Sequence, residues 1–190
     1  ACSYGYVDAS ITKGKSMSKE TAIKIVEEMI ELNKESGKKV SILFHGGEPL
    51  LNFETIKAVV EYIKPFRDKV ILEIQTNAAL LNEEFVTFLK ENHFRVGISL
   101  DGPEEINNLT RIAKDGTGSF TYIKKGLKLL NEHELQFGAI CVLTKHNYKY
   151  IDKIIDTFIN LKINSFSINP IFYGGRGKNS EEFSLSGEML

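Results

Sequence analysis

With 190 residues, 24 basic and 25 acidic side chains and a formal net charge of −1, the chain is long enough for one sizeable core and carries no cationic excess. That balance argues against an electrostatic nucleic-acid binder or a binder of anionic membrane surfaces. No apolar run approaches the ~20 residues that a bilayer span requires. The two cysteines, Cys2 and Cys141, make no disulfide framework, so a cytoplasmic location is expected.

From Ser18 the sequence reads as an amphipathic helix, with Ile23, Val26, Met29, Ile30 and Asn33 at helical spacing and Gly37 as its stop. The apolar run 40–44 predicts a strand that opens into His45-Gly46-Gly47-Glu48-Pro49. Two glycines allow close backbone approach to a ligand. Glu48 adds a carboxylate, and Pro49 removes an amide donor. A loop this rich in acceptors suits a cation such as an ammonium group. Glu48 could equally cap the helix that starts near Phe53.

That helix carries Phe53, Ile56, Val60 and Ile63 inward and ends at Pro65. A strand over 70–75 leads into Thr76-Asn77, and a helix from about Asn82 runs through Phe85, Phe88 and Leu89. Strand 96–100 runs into Asp101-Gly102-Pro103. A helix capped near Ser119 carries Ile123, Leu127 and Leu130. Strand 136–143, a helix near 149–161 and strand 163–168 complete the series. Cys141, inside an apolar strand, reads as a small buried hydrophobe.

Strands alternating with helices, without hairpin signals between them, predict a parallel α/β sheet. Right-handed crossovers then bring the loops 45–49, 76–79, 99–103, 142–147 and 169–175 to one rim, where parallel sheets hold ligands. A helix at 18–36 preceded only by a short polar loop leads us to expect a further strand upstream of Ala1, as in the interior of a longer protein.

In this order and spacing, Ala1-Cys2-Ser3-Tyr4-Gly5-Tyr6, Gly46-Gly47-Glu48-Pro49, Gln75-Thr76-Asn77, Gly97-Ile98-Ser99-Leu100-Asp101-Gly102-Pro103, Arg111 and Gly118-Ser119-Phe120 resemble the radical S-adenosyl-L-methionine (radical SAM) superfamily. The closer likeness is to its sulfatase-maturase-like, SPASM-type modifiers of peptides and proteins. The resemblance implies an α/β fold, a partial (β/α)6 barrel of parallel strands with its first strand outside the chain. Residues 1–175 would form the core barrel (strands 2 to 6), and 176–190 a linker or the start of a following element. It implies S-adenosyl-L-methionine (SAM) as cofactor, a 4Fe-4S iron–sulfur cluster, an electron donor for that cluster, and a peptide or protein substrate.

Matched position by position, Tyr4 falls near the adenine. Gly46, Gly47, Glu48 and Pro49 receive the SAM ammonium, Ser99 and Arg111 the carboxylate, and Val142 offers its backbone to the adenine. Asn77 and Asp101 lie on the same rim, and His45 holds a place that faces cofactor or substrate. Cys2 matches the second ligand of a Cys-x3-Cys-x2-Cys cluster loop. The first ligand position precedes Ala1, and the third is Gly5, which cannot coordinate iron. The chain as given is therefore expected to bind iron poorly and to lack radical activity. Sequence error or variation, deliberate replacement and a degenerate cluster-free barrel remain alternative accounts of Gly5. A weaker alternative is a phosphate-handling barrel using Gly174-Gly175-Arg176-Gly177 as an anion loop.

Overall fold

The computed structural model describes residues 16–113, 115–163, 165–172 and 181–186. Among these, five parallel strands form one sheet in the order β1-β2-β3-β4-β5: β1 (Val40–Phe44), β2 (Val70–Thr76), β3 (Arg95–Ser99), β4 (Phe137–Leu143) and β5 (Ser165–Pro170). Sequential order in a wholly parallel sheet means every crossover steps to the next strand. All strand carboxyl ends therefore lie on one rim.

Six α-helices accompany them: α1 (Lys19–Leu32), α2 (Phe53–Tyr62), α3 (Glu83–Glu91), α4 (Glu104–Thr110), α5 (Phe120–Glu132) and α6 (Ile151–Asn160). Ser18 caps α1 by accepting the Thr21 amide, and Asn82 caps α3 by accepting that of Phe85. The inward residues of α1 are Ala22 and Val26; Ile23, expected there, is only half-buried. The reading from sequence did not contain α4. It is seven residues long, and its Asn107, Asn108 and Thr110 are weak helix formers. Strand β5 lies two residues beyond its expected bounds because Ile163 packs against the core before the strand begins.

Strand residues alternate between two faces. Leu72, Ile74, Val96, Ile98, Ala139 and Cys141 point to the helices and are buried. Gln75, Gly97, Ser99, Gly138 and Ile140 line the other, concave face and are only half-covered. On the helical side, the Phe53 ring meets Phe85 and Phe88 edge-on at 4.5 and 4.9 Å, locking α2 to α3. Gly126 lets α5 press onto the loop after β2, where a β-carbon would stand 2.4 Å from the Ala78 carbonyl.

Residues 181–186 belong to the stretch expected as linker, yet they pack back on the rim. Phe183 is buried against Ile171 and Val142, its ring meets His146 at 5.3 Å, and its carbonyl accepts the Lys145 amide. No helix among the described residues is long and apolar enough to cross a membrane.

Candidate functional site

The rim is joined strand to strand by side-chain bonds. After β1, Gly46 has φ +136°, a conformation that needs glycine. A β-carbon at Gly46 or Gly47 would meet no described atom within 4 Å, so this loop presents bare backbone to its surroundings. Glu48 follows in extended conformation, and Pro49 starts a 3-10 turn leading into α2.

The Glu48 carboxylate accepts from Thr76 Oγ1 at 2.6 Å, the Asn77 amide at 2.9 Å and the Leu50 amide at 3.3 Å. It both caps the turn and ties β1 to the end of β2. Burial pushes its pKa above the ordinary carboxylate value, and the three donors oppose that shift only in part. A buried carboxylate under this pressure gains from a positive charge placed beside it. His45, on the same loop, has its pKa lowered by burial, which favours the neutral ring.

On the concave face, Gln75 Nε2 donates to Ser99 Oγ at 2.9 Å, linking β2 to β3. Gly97 and Gly138 are register partners on β3 and β4 and leave the sheet bare beneath them. A cavity of about 270 Å³ lies over this floor, lined by Gln75, Gly97, Gly138, Ser165 and Ser167 among others. Farther from the rim, at a more exposed point, Glu73 bonds Ser41 and pairs with Arg95 at 3.6 Å.

From β3 onward the chain places Asp101 in nearly complete burial, at 1% exposure. Arg111 meets it at two points, Nε to Oδ2 at 2.8 Å and Nη2 to Oδ1 at 3.0 Å. Asp101 Oδ1 also accepts the Val142 amide at 3.1 Å, and Thr110 donates to Oδ2 at 3.3 Å. Asn147 Nδ2 donates to the Val142 carbonyl at 2.9 Å. The end of β4 is thus held from both sides.

These contacts place the expected residues along one rim and also refine them. Glu48, Asn77, Ser99, Asp101, Arg111 and Val142 follow one another across consecutive strand ends. Asp101 was expected as a ligand contact; among the described residues its carboxylate bonds Arg111, Val142 and Thr110. One edge of the Arg111 fork is engaged by Asp101. Both backbone groups of Val142 already have partners, and Asn77 uses its amide on Glu48 and its Oδ1 on the Ala79 amide. Pro49 opens the turn and is half-buried. Tyr4, Cys2, Gly5 and the loop 174–177 lie outside the described residues.

Sequence reasoning passed over Gln75, Thr76, Asn107 and Asn147 as participants. Gln75 and Thr76 stood inside a motif already singled out, which was the available signal. Asn107 accepts the Asp101 amide through Oδ1 at 3.3 Å, and no local pattern marked it; Asn147 stood at the end of the rim loop 142–147.

Iron ligation does not fit the cysteines present. Among the described residues no group of three His, Cys, Asp or Glu could hold a metal. Cys141 is fully buried on the helix-facing side of β4, and burial together with the Asp101 charge pushes its thiol up to about 12. The one other cysteine in this sequence is Cys2, and Gly5, three residues on, has no side chain to coordinate iron.

Fold and rim together define a parallel α/β half-barrel whose strand ends form a continuous polar ledge. The sequence profile described as "Radical SAM superfamily" matches residues 1–158, and the chain belongs to that superfamily. An uncharacterized protein of Methanocaldococcus jannaschii is 34% identical over 88% of this chain and 57% of its own length. The Cysteine-type anaerobic sulfatase-maturating enzyme of Clostridium novyi is 34% identical over 65% of this chain and 34% of its own. The Serine-type anaerobic sulfatase-maturating enzyme of Bacteroides thetaiotaomicron is 32% identical over 90% of this chain and 43% of its own. The chain therefore spans between 34% and 57% of the length of these relatives. A structure of native anSMEcpe with bound AdoMet and Kp18Cys peptide superimposes with a TM-score of 0.84 at 26% identity, covering 99% of this chain and 52% of that one.

Proposed function

We propose that this chain is the SAM-binding core of a peptide- or protein-modifying radical SAM enzyme. The observation that carries the reading is the set of three contact groups at successive strand ends: Glu48 with Thr76 and Asn77, Gln75 with Ser99, and Asp101 with Arg111 and Val142. A zwitterionic nucleoside needs an acidic end, an anion-binding end and an apolar shelf in that arrangement. Glu48, made uneasy by burial, receives the ammonium beside the exposed backbone of Gly46 and Gly47. The Ser99 hydroxyl and the Arg111 guanidinium take the carboxylate, the latter by a charge-assisted bond. Tyr4 and the β4 end around Val142 serve the adenine. The relatives named as sulfatase-maturating enzymes and the neighbour with a bound peptide support a peptide or protein substrate.

A 4Fe-4S cluster would draw on Cys2 from this chain, whereas Gly5 offers iron no ligand. Gly5 favours one further reading, a cluster-free barrel that binds SAM or a peptide. Calorimetry with SAM tests the core claim. Saturable binding that is lost in Arg111→Ala is expected, and no detectable binding by the unaltered chain would overturn it. Tight peptide binding without any for SAM would favour the second reading.

A further inference from the structure

We propose that Gln75 is a positioning residue that aims the Ser99 hydroxyl at the bound anion, and that Gly97 lacks a side chain in order to admit it. The inference rests on the SAM reading above. A hydroxyl has one proton to donate and two lone pairs to fill. Gln75 Nε2 fills a lone pair of Ser99 Oγ at 2.9 Å. Among the described residues no acceptor is seen for the Ser99 proton, so it is left for a ligand on the concave face. A lone serine would divide its time among three staggered rotamers; the amide selects one and fixes the hydroxyl as a donor.

Gly97 supplies the second, independent observation. Its backbone does not lie in the left-handed region that favours glycine, and an unneeded glycine weakens a strand interior. What it provides is space. A β-carbon there would fall 2.2 Å from Gln75 Oε1 and 3.2 Å from its Cδ. Gln75 and Gly97 are register partners on β2 and β3, so the amide lies flat over the glycine and reaches Ser99 two residues along. With one lone pair of Ser99 filled by the amide, the arrangement offers the hydroxyl proton to a carboxylate on the concave face.

The test compares SAM with 5′-methylthioadenosine, which shares the adenosine but lacks the amino-acid carboxylate, on the full chain by calorimetry. Gln75→Met removes the donor at similar size. Gly97→Ala displaces the flexible end of Gln75 without touching Ser99. Both variants should unfold thermally close to the wild type. Their Kd for SAM should rise about five- to tenfold, the worth of one hydrogen bond, with that for 5′-methylthioadenosine unchanged. Adding Ser99→Ala to Gln75→Met should weaken SAM binding little further, as coupled residues do. Equal losses for both ligands, or undiminished SAM affinity in both variants, would overturn the role of Gln75. A wild type that binds neither ligand would overturn the SAM reading and this inference together.

Discussion

Asp101 and Arg111 are joined at two points, at 2.8 and 3.0 Å, with the carboxylate 1% and the guanidinium 11% exposed. The same Asp101 oxygen that takes Arg111 Nη2 also takes the Val142 amide. One buried carboxylate therefore sets both the guanidinium proposed for the ligand carboxylate and the strand end proposed for the adenine. Removing one partner of a buried pair leaves the other charge uncompensated, which costs about 3–5 kcal/mol. Asp101→Ala should lower stability by about that much in urea denaturation. A change below about 0.5 kcal/mol would mean that the pair does not hold the rim.

Glu48 should show itself through pH. Its pKa in the folded chain is raised above the ordinary 4.5, chiefly by burial. Its contribution to stability is thus fully present below the unfolded value and is lost as pH rises through the folded one. From 4.5 upward, urea midpoints of the ligand-free chain should fall more steeply than those of Glu48→Gln. An ammonium ligand needs the ionised form, so SAM affinity should rise over the same interval. A slope identical in wild type and variant would show that Glu48 titrates as an ordinary carboxylate.

The parallel sense and the shared rim were legible because each depends on local signals: apolar runs of strand length, Gly and Pro punctuation, and helical periodicity. Glu48 and Ser99 were singled out near strand ends marked by glycine and proline, and the structure sets Glu48 after β1 and Ser99 as the last residue of β3. What escaped was set by partners distant in sequence. The partners of Asp101 were not legible, because nothing near it shows that Val142, 41 positions on, would donate to it. Phe183 fell in the stretch read as a linker or the start of a following element, and its burial, which depends on Ile171 and Val142 across the rim, left no local sign. Helix α4 escaped because its poor helix formers are held by tertiary contacts, with Asn107 fully buried beneath Asp101.

Gly126 sets the distance between α5 and the loop after β2. Alanine is ordinarily the better helix former by about 1 kcal/mol. Here its methyl would stand 2.4 Å from the Ala78 carbonyl oxygen and 3.2 Å from the Ala78 β-carbon. Backbone cannot yield as a flexible side chain can, so overpacking should outweigh propensity. Gly126→Ala should destabilise the chain by about 1–3 kcal/mol. A stabilised variant would show that the contact relaxes freely.

Phe183 offers a test of whether residues 181–186 belong to the barrel. Its side chain is buried beside Ile171 and Val142, and its carbonyl holds the Lys145 amide. Truncating a buried Phe costs about 3 kcal/mol or more when the surroundings cannot close over the gap. Phe183→Ala should lower the urea midpoint accordingly and speed proteolysis near 181–186. Unaltered stability and unaltered cleavage would return this segment to the role of a linker.

Iron retention should follow the cysteines rather than the family. A 4Fe-4S cluster needs several thiolates within reach of one another, and the sequence holds Cys2 and Cys141 alone. Cys141 cannot serve as a substitute: it faces the helices, is fully buried, and its thiol is pushed up to about 12. After anaerobic reconstitution with iron and sulfide, the unaltered chain should hold far less than one cluster per molecule and give no cluster EPR signal on reduction. Cys141→Ser should leave that small iron content unchanged. Near-stoichiometric iron in the unaltered chain, or a fall on replacing Cys141, would show that iron finds a ligand set other than the loop at Cys2 and Gly5.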